Sequence, residues 1–184
     1  AAQEAQNAVK ALRTVDEQYA RSRAWRVLAQ ALRDSGRGDE ATLQVRDFSD
    51  WARSTSQQAP LLYAALARAE QARDLHRVDD ADREYAAALA TADAWSVPAD
   101  LAEVAVSYGN ALIADKQLDR AGDVVGRVAR WADRDFDCAL LQANLYQALG
   151  QNESASAALV RAKALAGERK LGKPSPVPLA KAGD

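Results

Sequence analysis

Apolar residues recur along this chain at helical spacing, and the recurrence itself recurs. Ala41, Val45 and Phe48 stand at i, i+4 and i+7. So do Ala81, Tyr85 and Ala88, then Ala121, Val125 and Val128, then Ala155, Leu159 and Ala162. The leading alanines are 40, 40 and 34 residues apart. Each set is one face of a helix with 3.6 residues per turn. About 16 residues before each leading alanine lies a second stripe. Trp25, Leu28, Ala29 and Leu32 form the first of these. Ala65, Ala69 and Ala72 repeat it, with Arg68 in the place of Leu28. Ala105, Tyr108, Gly109 and Leu112 follow, then Ala139, Ala143 and Tyr146, with Gln142 off pattern. A repeat at this period signals stacked helical units, and each unit reads as helix, short turn, helix.

The residues between the stripes suit that reading. Gly36 and Gly38 bracket the first turn and Gly150 marks the fourth, as glycine does just past a helix end. Asp39, Asp79 or Asp80, Asp119 and Asn152 stand where N-caps of the second helices are expected. Pro60 and Pro98 each fall at the opening of a first helix, where proline is tolerated. The two longer spacings exceed the third by six residues, which map to the segments around 54–60 and 96–100 as loops or extended helix ends.

Composition narrows the class. Alanine fills 43 of 184 positions, glycine 9 and proline 5, and methionine is absent. Such alanine content without clustered β-branched residues predicts an all-α protein and argues against a sandwich, a barrel or a parallel sheet. The net charge is −2 with both signs dispersed, so no basic footprint for direct nucleic-acid binding is expected. No apolar run is long enough to span a membrane, and no signal peptide is legible. Arginine outnumbers lysine by 18 to 6, a bias of GC-rich bacterial coding. The chain opens mid-pattern without a methionine, so a segment of a longer protein is expected. The cytoplasm is the favoured location, with the periplasm the alternative if the parent protein is exported or membrane-anchored.

The unit Trp25-x-x-Leu28-Ala29-x-x-Leu32, Gly36, Ala41-x-x-x-Val45-x-x-Phe48 resembles a tetratricopeptide repeat, and Tyr108-Gly109-x-x-Leu112 with Ala121-x-x-x-Val125 is similar. The resemblance covers about Ser22 to Gly167. It departs at His76 and Lys116, which replace the turn glycine, and in lacking the usual closing proline. It implies a right-handed α-α superhelix, a solenoid of about four helical hairpins plus an N-terminal helix. The expected organisation is an N-terminal helix within 1–21, a repeat domain over 22–171 and a proline-containing tail over 172–184. Residues Gln3–Arg21 read as one helix with Ala8, Leu12, Val15 and Tyr19 on a face, either a cap or half of a truncated repeat. The tail, Gly-Lys-Pro-Ser-Pro-Val-Pro and beyond, reads as a flexible tail, partly extended polyproline II.

No catalytic constellation emerges, and the chain is not expected to be an enzyme. His76 is the single histidine and Cys138 the single cysteine, too few for a zinc site and without spacing that pairs them. Cys138 reads as a small buried apolar residue. The clusters Asp79-Asp80-x-Asp82 and Asp133-x-Asp135-x-Asp137 lack the glycine and glutamate of a calcium loop and read as helix-start acids. Trp51 and Trp131 hold the same place after their leading alanines and read as seam packing. No cofactor or metal is expected.

The resemblance implies that first helices line a concave groove. By helix phase, the stripe opposite the packed one holds Arg23, Arg26, Gln30 and Arg33, then Tyr63, Leu66, Glu70 and Arg73. It continues with Glu103, Val106, Asn110 and Ile113, then Asp137, Leu140, Asn144 and Gln147. The arginines could hold a carboxylate, the apolar residues could take anchors, and the amides could pair with a peptide backbone. Three functions compete: a protein- or peptide-binding scaffold; a regulatory or sensory segment of a bacterial transcriptional regulator or kinase acting through intramolecular or oligomer contacts; and, least expected, an enzyme. The pattern leaves the oligomeric state open.

Overall fold

A computed structural model describes residues 2–11 and 17–167. The described chain is all-helical. α1 spans Ala2–Ala11, α2 Gln18–Asp34, α3 Gly38–Thr55, α4 Gln58–Asp74, α5 Val78–Trp95, α6 Pro98–Ala114, α7 Leu118–Val128, α8 Phe136–Ala148 and α9 Asn152–Leu165, with one 3-10 turn at Ala129–Trp131. Each α-helix from α1 to α9 packs on the next in sequence; α2 also packs on α4, and α6 on α8. Leu12, Val15 and the tail over 172–184 lie outside the described residues. No helix among the described residues is long and apolar enough to cross a membrane.

The repeat is written most clearly in four turns. Gly36 N–H donates to the Arg33 carbonyl and Arg37 N–H to the Leu32 carbonyl, at 2.9 Å each. The same pair of bonds joins His76 to Arg73 and Arg77 to Ala72, Lys116 to Ile113 and Gln117 to Leu112, and Gly150 to Gln147 and Gln151 to Tyr146. These are Schellman closures, which satisfy the last carbonyls of a helix by placing one residue in the left-handed region. That residue has φ +74° at Gly36, 56° at His76, 59° at Lys116 and +71° at Gly150. His76 and Lys116 therefore adopt the glycine geometry without being glycine, and their Cβ atoms carry the steric cost of that conformation. Changing either to glycine is expected to raise stability by about 0.5–1 kcal/mol, read as a higher urea midpoint. Changing Gly36 to alanine should lower it.

The closures also correct the expected caps. The N-cap positions are Arg37, Arg77, Gln117 and Gln151, without side-chain cap bonds. One residue closes the first helix and opens the second, so the second helix starts earlier than an aspartate cap would allow. Asp39, Asp79, Asp80 and Asp119 sit in the first turn instead, where the helix dipole favours negative charge. Asn152 is the first residue of α9. Asp135 does cap: its carboxylate accepts from Cys138 N–H at 2.9 Å, at the start of α8.

The longer spacings are helix. α3 and α5 run 18 residues each, to Thr55 and Trp95, and reverse through Ser56 and Ser96 at φ 54° and 59°. α7 stops after 11 residues and ends in the 3-10 turn, where Trp131 is buried with the Arg130 guanidinium 4.6 Å above its ring. The N-terminal expectation is corrected too. Glu17 is non-helical and α2 begins at Gln18, so Gln3–Arg21 is not one helix and Tyr19 belongs to α2.

The predicted stripes face inward. Trp25, Leu28, Ala29, Leu32, Ala41, Val45 and Phe48 are buried, as are the matching residues of the second and third units. In the fourth unit Ala155, Leu159 and Tyr146 are half-buried. The helices of the third and fourth units pack tightly at Gly109: a Cβ there would stand 3.0 Å from Leu141 Cδ1 and 3.2 Å from Cδ2. Leu141 is itself fully buried, so a residue larger than alanine at 109 would force α6 from α8.

Candidate functional site: the face of the first helices

α2, α4, α6 and α8 carry the residues singled out by helix phase, and the structure brings many of them together. Arg26 of α2 donates to Glu70 of α4, with Nη2 at 2.5 Å from Oε1, and also to Glu103 of α6. Arg23 reaches Glu103 at 3.4 Å. Arg33 pairs with Glu70 at 3.2 Å and Asp74 at 2.6 Å. Arg73 of α4 donates to Asp115 at 2.7 Å and to the Ala111 carbonyl at 3.2 Å. Asn144 of α8 donates to Asn110 of α6 at 3.0 Å. Ser107 adds a bond to Glu70 at 3.1 Å. One polar seam thus runs over all four helices.

That seam changes the expected chemistry of its basic end. Arg26 and Arg33 are largely buried and already matched by carboxylates of their own chain. Burial works against the Arg26 charge, but Glu70 and Glu103 outweigh it and hold the guanidinium above its ordinary value. A partner's carboxylate would have to displace three internal ones. Arg23 and Gln30 remain exposed, and Gln30 donates to Asp34 at 2.6 Å.

Tyr63 and Leu66 are not surface residues at all; both are fully buried. Their positions were projected from α2, but α4 lies between α2, α3 and α5 and is covered on nearly every side. The segment Leu61-Leu62-Tyr63-Ala64-Ala65-Leu66-Ala67 is apolar all round, which is the signature of an enclosed helix. Tyr63 anchors a group that helix phase did not reveal. Its hydroxyl lies 2.7 Å from Asp100 Oδ1 and 3.0 Å from Glu103 Oε2, and Tyr19 donates to the same Asp100 oxygen at 2.6 Å. Asp100 is completely buried, and its Oδ2 has no hydrogen-bond partner among the described residues. Burial, reinforced by Tyr19 and Asp100, drives the Tyr63 hydroxyl well above the ordinary tyrosine range.

The other end of the face is open. Val106, Ile113 and Leu140 are half-buried against the core, and Asn110 and Gln147 are exposed. Asn110 Nδ2 donates to the Val106 carbonyl at 2.9 Å, and Asn144 contributes the bond to Asn110. Asp137 also lies on α8 and is exposed.

The remaining reactive groups are accounted for elsewhere. Cys138 is buried at the start of α8, and burial together with Asp135 pushes its thiol up to about 12. A thiol reagent at pH 8 is therefore expected to leave folded protein unmodified and to label it fully in denaturant, since only the thiolate attacks. His76 occupies the strained turn position between α4 and α5. Asp82 accepts from Tyr108 and Arg120, and Asp133 pairs with Arg161 at 2.9 Å. Among the described residues no group of three or more His, Cys, Asp and Glu is placed to hold a metal ion. Compared with known proteins, the chain matches no family model, no curated protein and no solved structure.

Proposed function

We propose that this chain is a peptide-binding scaffold, and that its working surface is the α6–α8 end of the first-helix face. The observation that carries this reading is the Asn110–Asn144 amide pair beside the half-buried shelf of Val106, Ile113 and Leu140. Amides on one edge can pair with the backbone of an extended segment, and the shelf can take its apolar side chains. The occupant is a neutral, apolar-rich segment of a partner protein. An acidic one would find the arginines of α2 already neutralised by carboxylates of their own chain. The four turn closures at 40-, 40- and 34-residue intervals support reading the architecture as a tetratricopeptide-like α-α superhelix with first helices on its inner side.

The test is selection of displayed random peptides on the whole chain, followed by binding to two variants. Asn110→Ala with Asn144→Ala, both at accessible positions, should weaken selected peptides about tenfold or more, the sum of two lost hydrogen bonds. Leu43→Glu on α3, at an exposed position, should leave them unchanged. Peptides that bind the amide variant as well as the parent would sink the proposal, as would peptides lost to Leu43→Glu.

A further inference from the structure

The second helices of the two middle units leave a slot between them. α5 packs on α4 and α6, and α7 on α6 and α8, rather than on each other. A stripe of α5, Ala86, Leu89, Ala90 and Asp93, looks across at a stripe of α7, Arg120, Asp123, Val124 and Arg127. Both stripes have i, i+3, i+4, i+7 spacing, so each is a single helix face. The space between them is about 290 Å³ and is floored by Tyr108 and Leu112 of α6.

The repeat explains why the slot lies here and is not duplicated one unit earlier. Arg68 precedes Tyr108 by 40 positions. It rises between α3 and α5, with its guanidinium 3.4 Å from Ser49 and 2.7 Å from Glu84, and occupies that gap. Tyr108 instead lies flat. It is 4% exposed, stacks on Tyr85 with centroids 5.1 Å apart, and donates to Asp82 at 2.7 Å. The Arg120 guanidinium stands over one part of its ring, 5.9 Å from the centroid, and the rest of the ring lines the space together with Leu112. Two ion pairs, Arg120 with Asp82 and Arg127 with Asp93, strap α7 to α5. Asp82 and Asp93 are separated by eleven residues of helix, about 16 Å, which sets the length of the slot. Both arginines are used by these straps. Asp123 stands exposed between them and makes no ion pair among the described residues. The rim therefore carries one uncompensated negative charge over an apolar floor.

We infer that this slot binds a small amphipathic cation, with its apolar body over Leu89, Leu112 and Val124 and its ammonium group at Asp123. The site is separate from the first-helix face and does not depend on the peptide-binding reading. The volume suits a ligand at the small end of the usual range, so affinity in the millimolar to high-micromolar range is expected.

Matched probes test it: phenethylammonium and phenylacetate, each titrated into the full chain while methyl resonances are followed by NMR. Phenethylammonium should shift the methyls of Ala86, Ala90, Leu89 and Val124 saturably, and phenylacetate should bind several-fold more weakly. Asp123→Asn should reduce that preference by about three- to fivefold, the scale of one exposed ion pair. Ala90→Trp places an indole in the slot from an exposed position and should abolish the shifts with the helical circular dichroism unchanged. The inference is overturned if no saturable shift appears, if shifts centre outside the slot, if the anion binds as well as the cation, or if Asp123→Asn leaves the preference intact.

Discussion

Phe48→Ala should destabilise the protein by about 3–5 kcal/mol, the usual cost of emptying a fully enclosed aromatic site. Phe48 has no exposed surface. Its ring lies against Trp25 with centroids 5.2 Å apart and planes 13° from parallel, and against Trp51 at 6.0 Å. Trp25 and Trp51 also meet, at 5.6 Å, and the Arg21 guanidinium stands 4.2 Å above the Trp51 ring. Removing the central ring leaves both indoles with an empty side that rigid helices cannot close. The equivalent places in later units are Ala88, Val128 and Ala162, so α3 is the one second helix with an aromatic ring at this position. The measurement is the urea midpoint by circular dichroism, with Leu43→Ala on the same helix as control. Leu43 is 48% exposed, and its truncation should cost under about 0.5 kcal/mol. Comparable losses from the two would refute the assignment of Phe48 as the packing centre.

Asp100→Ala should cost about 2–4 kcal/mol, because it strands buried donors and unbalances a charged group. Asp100 joins three helices: Tyr19 arrives from α2 and Tyr63 from α4, while the carboxylate itself stands in the first turn of α6. Asp100→Asn retains an acceptor and the shape, and should cost less. Alkaline titration gives an independent reading. Burial, with Tyr19 and Asp100 behind it, raises the Tyr63 hydroxyl; burial raises Tyr85 and takes Tyr108 to about 12. A phenol whose native value is raised contributes stability below its ordinary value near 10, and loses that contribution as pH climbs toward the raised value. Stability should therefore begin to fall above about pH 8.5, where the raised Cys138 thiol starts to lose its contribution, and fall further above about pH 10 through the tyrosines, with phenolate absorbance developing together with unfolding. In Asp100→Ala, Tyr63 loses one of the neighbours that suppress its ionisation, so that onset should move to lower pH. An unchanged onset would remove Asp100 from the account.

Much of this architecture was legible because hydrophobic phase and turn chemistry are local. The stripe from Trp25 to Leu32 and the alanines at 41, 81 and 121 are buried as their spacing requires. His76 and Lys116 hold the turn geometry of Gly36 and Gly150 because two backbone bonds fix it, whatever the side chain. What helix phase could not give was the environment beyond one neighbour. It placed Tyr63 and Leu66 on an outer stripe by analogy with Arg23 and Arg26, although α4 has neighbours on three sides. It sets Arg26, Arg33 and Glu70 on one face without showing that they neutralise each other, since that depends on how closely α2, α4 and α6 converge. Asp100 gave no sign beyond an acid near a helix start, and its tyrosine partners are 81 and 37 residues away.

The enclosure of α4 has a consequence for motion. Eleven of its residues are buried, against two in α9. Helices covered on all sides open only when their neighbours leave, so amide protons exchange there at rates near those of global unfolding, whereas one-sided helices exchange through local fraying. In deuterated water α4 should keep its amide protons longest, with α9 giving them up early. The chain would then loosen from an end of the array toward α4, and the Asn110–Asn144 surface, two to four helices from that centre, would lie on the softer side of the gradient.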